Sequence, residues 1–346
     1  MSALRFMRLL LGTSAAFAAV VYVFIILLDP YQDVPFAPVL TRAPVSTNQR
    51  FAYPALARDP LFDSAIIGDS TVRLLDPERL GAATGARFVT LAMNSATAYE
   101  QSRVHGLFAA GHRAARYLVV GIDGVWCQRE ASADYTFRAF PEWMYDDNRW
   151  NDLWYLFNDK ALEDAVRMLE LVNGRRAPRY RRDGYADFTR GFGAYSRARA
   201  EHRIYGGPVY AYARLAALPQ TAHPDWHYPQ LDVLAAMLAR HSPATRIALV
   251  FVPLHAHFLA SSADNFAECK GRVVQRFGGA TTIALLDYMY ASPLTTTDSN
   301  YWDNLHYTAA VARLLESDIA AALGARPPSS GFVRQLALPA APAGGL

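Results

Sequence analysis

The sequence has very little excess charge. Its 346 residues include 34 Lys and Arg against 31 Asp and Glu, which gives a formal net charge of only +3. Proteins that bind nucleic acid neutralise phosphates with a clear cationic surplus, so this balance argues against nucleic acid as the main partner. Zinc-finger and Walker patterns are also absent from the sequence. We therefore expect no nucleic-acid partner.

Cysteine is scarce as well. The two cysteines, Cys127 and Cys269, are too few for a disulfide framework. They can form one disulfide in an oxidising compartment or remain two small buried thiols, and their spacing favours neither. Hydrophobic residues, by contrast, make up 52% of the chain and charged residues only 19%. This composition predicts a folded protein with a sizeable core.

One long apolar stretch lies near the N-terminus. Residues 9–28 carry no charge, and Arg5 and Arg8 precede them. About 20 helical residues match a hydrocarbon core of about 30 Å, and the positive-inside rule leaves residues 1–8 in the cytoplasm. The alternative is a cleaved signal peptide, since residues 16–18 (AFA) have the small-x-small form, although apolar residues continue beyond them. The sequence predicts a single-pass inner-membrane protein with its folded part in the periplasm.

The rest of the chain falls into three predicted parts. Residues 29–60 are rich in Pro, Thr and Ala and predict an extended stalk. Residues 61–325 are predicted to form the main folded domain, and residues 326–346 a disordered tail because Pro, Ala and Gly dominate there.

Short apolar runs alternate with helical stretches in residues 61–325, which indicates a parallel sheet covered on both faces. The predicted fold is therefore α/β, a three-layer α/β/α sandwich with a parallel five-stranded sheet. The five predicted strands are Ser64–Ile67, Arg87–Leu91, Tyr117–Gly121, Arg246–Val252 and Thr282–Leu286. Residues 128–228, between the third and fourth strands, are too many for one crossover and predict an inserted helical or irregular lid.

Two short motifs carry candidate chemistry. Gly68-Asp69-Ser70 directly follows the first strand, where a glycine permits a tight turn and free backbone N–H groups can stabilise an oxyanion. Asp303 lies three residues before His306 and can fold back on its Nδ1, which leaves Nε2 to deprotonate Ser70. The ordinary alternatives are a helix-capping serine and a surface loop. The joint placement favours a Ser70–His306–Asp303 triad.

The two motifs resemble the first and last blocks of the SGNH (GDSL-like) hydrolase superfamily, Gly-Asp-Ser and Asp-x-x-His. The resemblance implies a flavodoxin-like sheet and a serine esterase or O-acyltransferase that needs no cofactor and no metal. The membrane-anchored form is similar to bacterial proteins that O-acetylate exopolysaccharides outside the cytoplasm. It implies an acylated polysaccharide or acylated small-molecule substrate, and an acyl-donor membrane protein as a possible partner.

The middle blocks depart from the family pattern. Residues 92–96 (AMNSA) lack the usual glycine, and Asp123 stands where the family has asparagine. An ionised carboxylate would repel a developing oxyanion, so either Asp123 is protonated, or it binds something else, or Asn94 and the Ser70 amide stabilise the oxyanion. A helix cap is the plain alternative for Asp123. These departures leave a second functional hypothesis, a catalytically weak or inactive glycan-binding or assembly component.

Further residues are weaker candidates. His255 and Trp302 are expected to line the substrate cleft, whereas Gly68 and Asp69 of the first motif are expected beside the nucleophile and the oxyanion, with Asn94 and Asp123. His255 and His257 share a face if extended and would then offer two zinc ligands, but no Cys or Glu stands at ligand spacing. The Arg-rich and aromatic residues 175–212 are either a solvated lid or a polysaccharide groove.

Overall fold

The structure is a computed structural model that describes residues 2–37, 42–206 and 219–340. The chain divides into two units: residues 1–55 with 139–184, and residues 56–138 with 185–346. The helices in chain order are α1 (Ala3–Leu28), α2 (Gln49–Arg58), α3 (Pro77–Thr84), α4 (Ala98–Gly111), α5 (Asp159–Val172), α6 (Arg197–Ile204), α7 (Pro229–Leu238), α8 (Ala256–Ala260), α9 (Ala263–Phe277), α10 (Pro293–Thr296) and α11 (Ala309–Leu323). The strands are β1 (Ser64–Ile67), β2 (Phe88–Thr90), β3 (Tyr117–Ile122), β4 (Arg246–Phe251), β5 (Ile283–Asp287) and β6 (Arg334–Ala337).

The second unit is built on a mixed six-stranded sheet in the order β2-β1-β3-β4-β5-β6. Neighbours among the first five strands are parallel, and β6 is antiparallel to β5. The apolar runs become strands because all their side chains from β1 to β5 are buried, apart from a half-buried residue at the start of β3 and β4. The α/β class is confirmed. The expectation of a purely parallel five-stranded sheet is wrong, since a sixth, antiparallel strand makes the sheet mixed.

Strand β6 comes from the tail that the composition predicts to be disordered. Its residues are mostly half-buried, and its partner on the sheet edge is β5. Four residues of mixed polarity give no sequence signal for a strand, because an edge strand is stabilised by backbone hydrogen bonds more than by its own side chains. The last residues of the predicted tail, 341–346, lie outside the described residues.

Helices of the second unit pack in two pairs. Helix α3 packs against α11, which also contacts β4 and β5, and α4 packs against α7. Helix α4 begins with a capping box in which Thr97 and Glu100 satisfy each other's backbone amides. Helix α11 begins directly after Thr308, as the sequence predicts, although the Thr308 side chain makes no capping hydrogen bond.

Cys127 and Cys269 form a disulfide with a Cα–Cα distance of 5.5 Å across 142 residues of sequence. The bond ties the segment after β3 to α9, and both residues are buried. Of the two possibilities that the sequence leaves open, the structure has the disulfide.

The first unit combines the N-terminal residues with part of the expected insertion. Helix α1 has 26 residues and a mean hydropathy of 2.4, so it is long and apolar enough to cross a membrane, and its N-terminal position also fits a signal sequence. The predicted extended stalk differs from the structure: Tyr31 is buried, with its ring centroid 5.4 Å from that of Phe51 and 6.4 Å from that of Trp143. Residues 139–184 provide apolar side chains that cover Tyr31, such as Trp143. The sequence around Tyr31 contains no local pattern that predicts a partner so far along the chain.

Candidate active site

Ser70 lies on a short turn at the carboxyl end of β1. It begins a single 3₁₀ turn, Ser70–Val72, and is only partly buried. The carboxylate of Asp69 accepts a hydrogen bond from the backbone N–H of Thr71 at 2.7 Å, which caps the turn. This arrangement fixes the backbone on both sides of Ser70 and leaves its hydroxyl accessible.

Two glycines allow this turn to pack tightly on the sheet. A Cβ atom on Gly68 would lie 2.4 Å from Cγ2 of Val72, and one on Gly121 would lie 2.4 Å from Cγ1 of the same valine. Val72 is fully buried. The sequence suggests Gly68 for a tight turn, and the structure shows that both glycines also make room for the side chain that holds the turn in place.

Asp303 and His306 lie on a loop that is closed at both ends. Tyr301 and Tyr307 form an antiparallel bridge, and the Trp302 N–H donates to the His306 carbonyl at 2.8 Å. Oδ1 of Asp303 accepts hydrogen bonds from the backbone N–H groups of Leu305 and His306, both at 2.8 Å. An aspartate commonly folds a loop in this way, since its short side chain reaches the backbone two and three residues on.

The structure brings Ser70, His306 and Asp303 together. Nε2 of His306 lies 2.9 Å from Oγ of Ser70, although the two residues are 236 positions apart in sequence. Nδ1 of His306 lies 2.8 Å from Oδ2 of Asp303. Because a carboxylate can only accept, Nδ1 carries the proton, and Nε2 is left to accept from the Ser70 hydroxyl.

The electrostatics suit this arrangement. Burial raises the pKa of Asp303, but the hydrogen bond and charge of His306 and the backbone amides of Leu305 and His306 outweigh it, so the pKa lies below its usual range. Asp303 is therefore ionised at neutral pH, and its charge stabilises a proton on His306.

Asp123, which follows β3, is buried next to Asp69. Its Oδ1 accepts from the Val125 N–H at 2.9 Å, and its Oδ2 accepts from the Thr71 hydroxyl at 3.3 Å. Burial, the charge of Asp69 and a hydrogen bond with Asp69 raise the pKa of Asp123 well above its usual value. Asp123 is therefore the protonated partner of the pair, and a carboxylic acid can donate a hydrogen bond as an asparagine does.

Asn94, after β2, is oriented by Arg73. The Arg73 guanidinium donates to Oδ1 of Asn94 at 2.6 Å. Since a guanidinium has no acceptor, the atom that faces it must be the amide oxygen. The N–H groups are then the end of Asn94 that can donate elsewhere. Arg73 is a residue that the sequence does not single out.

Aromatic side chains from the segment after residue 184 surround the loop of the triad. The Phe188 ring lies edge-on to the His306 ring, with centroids 5.4 Å apart. The Arg73 guanidinium lies over the Phe188 ring, 4.9 Å from its centroid. The Phe192 and Tyr195 rings contact Trp302 at 5.5 and 5.2 Å. The predicted insertion therefore does not form one subdomain: residues 139–184 belong to the first unit, and residues 185–206 contact the triad. The sequence shows these aromatics but gives no signal for their target.

His255 does not line a cleft as the sequence predicts. It is fully buried, its Nε2 lies 3.2 Å from Oδ1 of Asp298, and its Nδ1 accepts from the His257 N–H at 3.1 Å. The residue caps α8 instead, because the chain turns into a helix there and the two histidines do not share a strand face. Both ring nitrogens of His255 make hydrogen bonds within the protein, so this histidine does not offer a nitrogen to zinc. Within the described residues, no three His, Cys, Asp or Glu side chains group to hold a metal ion.

A cavity of about 930 Å³ adjoins the triad. Its wall includes Asp69 and Thr71, which flank Ser70, and Leu305, which precedes His306, but neither Ser70 nor His306. Its other lining residues include the charged or titratable side chains Asp123, Arg129, Glu130, Asp225 and His227. Apolar side chains such as Leu254, Phe258 and Phe266 line much of the rest, so the cavity next to the candidate nucleophile is of mixed polarity.

The Arg-rich part of the predicted groove lies in the first unit. Arg176 pairs with Glu170 at 2.7 Å, and Arg181 pairs with Asp183 at 2.6 Å. These ion pairs favour the reading of a solvated surface over that of a groove for an acidic polymer. Residues 207–212, at the end of the cluster, lie outside the described residues.

Comparison with known proteins adds no family: no family model matches the chain, and no curated protein matches it. What the site can do is therefore read from its geometry. A serine hydroxyl, an imidazole and a carboxylate in hydrogen-bonded sequence can activate the hydroxyl as a nucleophile.

Proposed function

We propose that the chain is a serine acyl-ester hydrolase or O-acyltransferase that acts through Ser70, His306 and Asp303. The observation that carries the proposal is the continuous pair of hydrogen bonds, 2.9 Å from Ser70 Oγ to His306 Nε2 and 2.8 Å from His306 Nδ1 to Asp303 Oδ2. If Ser70 only capped a helix, it would need no histidine hydrogen-bonded to its hydroxyl. If His306 only lay in a surface loop, it would need no serine at its Nε2. The relation between the two motifs therefore supports catalysis over coincidence.

In the proposed reaction, Ser70 Oγ attacks the ester carbonyl carbon of the substrate while His306 Nε2 takes its proton. The carbonyl oxygen becomes an oxyanion, and its collapse breaks the ester bond, with His306 returning the proton to the departing alcohol. The acyl group is then an ester of Ser70. Water or a sugar hydroxyl, deprotonated by His306, attacks this ester, and Ser70 leaves with its proton restored.

The oxyanion needs donors close to Ser70. The Ser70 N–H is one candidate, because it lies at the open N-terminal end of the 3₁₀ turn. The side-chain N–H groups of Asn94 are a second, since Arg73 holds the amide oxygen and the N–H groups are the end that can donate. Protonated Asp123 donates to Asp69 and so supports the turn, and the repulsion expected from an ionised carboxylate at that position does not arise.

We further propose membership of the SGNH hydrolase superfamily with a flavodoxin-like, three-layer core. Support comes from the five parallel strands in the order β2-β1-β3-β4-β5, the order of flavodoxin-like sheets. The helix pairs α3–α11 and α4–α7 are consistent with two helical layers. Both proposed catalytic segments follow carboxyl ends of parallel strands, where ligands bind in open α/β sheets.

The proposed substrate is an acylated cell-surface polysaccharide, with the catalytic unit on the periplasmic side of the inner membrane. Helix α1 supports attachment to a membrane, and the Cys127–Cys269 disulfide suits an oxidising compartment. The lining of the cavity next to Ser70 combines charged side chains with apolar and aromatic ones, which suits a sugar with polar hydroxyl groups and apolar ring faces. Transfer to a sugar hydroxyl would require an acyl donor, for which a membrane protein is the natural source.

The test uses the full chain in detergent with an aryl acetate, together with Ser70→Ala, His306→Ala and the control Ser261→Ala, whose exposed serine lies in the same unit. Wild type and control should release the aryl alcohol, and the two triad variants should lose kcat/KM by at least about 10³-fold. A fluorophosphonate should label wild type at Ser70 and leave Ser70→Ala unlabelled. If all four proteins behave alike and Ser70 stays unlabelled, the catalytic proposal is wrong and the glycan-binding hypothesis takes its place.

A further inference from the structure

Four large aromatic side chains are exposed together on the first unit. Trp150, Trp154, Tyr155 and Phe157 are 62%, 86%, 52% and 54% exposed. They lie in or beside the 3₁₀ segment Asn151–Tyr155, just before α5. We call these four residues the aromatic shelf. Large aromatic rings are the residues that folding normally buries, so a group of them in the open marks an interaction surface.

Two rings of the aromatic shelf pack against neighbouring aromatic rings. Tyr155 stacks on Trp143 with centroids 5.5 Å apart and planes within 9° of parallel. Trp150 contacts Phe36, itself exposed, at 6.0 Å. Part of this apolar surface is therefore supported by other side chains of the first unit.

The contacts between α1 and the segment that carries the aromatic shelf indicate that lipid is the partner of the shelf. The Tyr22 hydroxyl donates to the Leu153 carbonyl at 2.7 Å, and the Tyr22 ring meets Phe157 edge-on at 6.0 Å. Along the axis of α1, the aromatic shelf therefore lies beside the turn that contains Tyr22. The uncharged part of the helix from Leu9 to Tyr22 rises about 20 Å at about 1.5 Å per residue. The long side chains of Arg5 and Arg8 can reach the opposite headgroups from inside the core, so the helix up to Tyr22 can cross the roughly 30 Å of a hydrocarbon core.

The exposure of α1 agrees with this position of the aromatic shelf. Before Tyr22 the helix is exposed almost throughout, as Leu11 and Phe17 illustrate, whereas after Tyr22 only one face is covered: Ile25 is buried, but Val23 and Leu27 stay exposed. The part exposed all round is the part that lipid would cover, and one face of the remainder packs within the first unit, where α1 contacts α5. The fully exposed part of α1 therefore ends beside the aromatic shelf.

We propose that the aromatic shelf lies in the headgroup region of the same bilayer that α1 crosses, in the leaflet from which the C-terminal end of α1 emerges. Trp and Tyr favour this region because one part of each ring system is apolar and another can hydrogen-bond. The first unit is then attached to the bilayer at two places, through α1 and through the aromatic shelf, and is not a flexible tether. This goes beyond the proposed acyl transfer and does not depend on it.

The proposal is tested with the full chain in phosphatidylcholine nanodiscs whose acyl chains are brominated either close to the headgroup or near the bilayer centre. Bromine quenches tryptophan fluorescence only over short distances. We expect shallow bromine to quench a clear fraction of the emission of wild type and deep bromine to quench much less. In Trp150→Phe/Trp154→Phe, the quenched fraction should fall at least twofold.

Trp226→Phe is the matched control, since this tryptophan belongs to the second unit and its loss should leave the quenched emission unchanged. Equal quenching in wild type and the double variant would overturn the proposal, and so would quenching that is stronger with deep than with shallow bromine. Aryl acetate turnover measured on the same nanodiscs reports the proposed catalysis separately, so failure of either proposal is recognised without the other.

Discussion

Asp123 is hydrogen-bonded to Asp69, the residue immediately before Ser70. Burial and the neighbouring carboxylate raise the pKa of Asp123 well above its usual value, which favours the protonated acid, and a protonated acid can donate to Asp69. The pair also holds the Thr71 backbone and hydroxyl, which ties the loop after β3 to the turn of the candidate nucleophile. An aspartate that looks unfavourable beside an oxyanion in the sequence is thereby compatible with acyl transfer.

Asp123→Asn should fold and should become more stable than wild type as the pH rises. In wild type the folded protein keeps a proton on Asp123 that the unfolded chain releases above a pKa of about 3.9. The contribution of Asp123 is therefore fully present below that pKa and is lost as pH rises towards its raised folded pKa, by up to about 1.4 kcal/mol per pH unit. Denaturant unfolding between pH 4 and pH 8 measures the difference. Asp123→Ala, which cannot donate to Asp69, should be less stable than Asp123→Asn throughout, and a constant gap between wild type and Asp123→Asn would contradict the prediction.

Asp303→Asn should retain the fold and lose kcat by about 10³- to 10⁴-fold. An asparagine N–H facing Nδ1 of His306 would favour the tautomer with its proton on Nε2, which cannot accept from Ser70. Aryl acetate kinetics and the rate of fluorophosphonate labelling should fall together. A variant within about tenfold of wild type would show that Asp303 does not orient the base.

Gly121→Ala should lower the free energy of unfolding by about 1–3 kcal/mol, because its new methyl group would overlap Cγ1 of Val72. Activity should fall as well, since Val72 lies in the turn that begins at Ser70. Adding Val72→Ala removes the overlapping atoms, so the double variant should lose less than the sum of the two single losses.

The control for this cycle is Gly124→Ala, three residues on, where an added Cβ meets nothing within 4 Å. It should change stability little. Additive losses in the cycle would mean that the close approach of Gly121 and Val72 does not hold the turn.

Replacing the disulfide with Cys127→Ala/Cys269→Ala should lower the free energy of unfolding by about 2–5 kcal/mol, because the bond restrains a long loop of the unfolded chain. Urea unfolding with and without a reductant measures this. Reductant should weaken wild type and leave the double variant unchanged. Identical midpoints for oxidised wild type and the variant would show that the bond adds nothing to stability.

Much of the sheet and the pair of catalytic motifs can be predicted from the sequence. Ser64–Ile67 has the bounds that its pattern predicts. Of the other four predicted strands, two differ from the observed strands by one residue at one end and two by one residue at each end. Buried parallel strands and amphipathic helices can be predicted from the sequence because their hydrophobic periodicity is local. The Asp303–His306 contact is local too, since the two residues are three positions apart.

Other features depend on which distant surfaces meet. Strand β6 exists because β5 offers an open edge, and Tyr31 is ordered because Trp143 and Phe51 cover it. His255 reads as a cleft residue in the sequence but is buried against Asp298. Propensity and spacing carry no information on such pairings.

The sequence by itself determined the elements and the types of side chain available: a long apolar N-terminal helix, a set of alternating strands and helices, and a serine, a histidine and an aspartate on turns after strands. Only the tertiary structure decided that Ser70 and His306 lie 2.9 Å apart, that Cys127 meets Cys269, and which residues share the aromatic shelf. The physical reason is that backbone propensity acts within a few residues, whereas protonation, burial and hydrogen-bond partners are set by neighbours that folding brings from far along the chain.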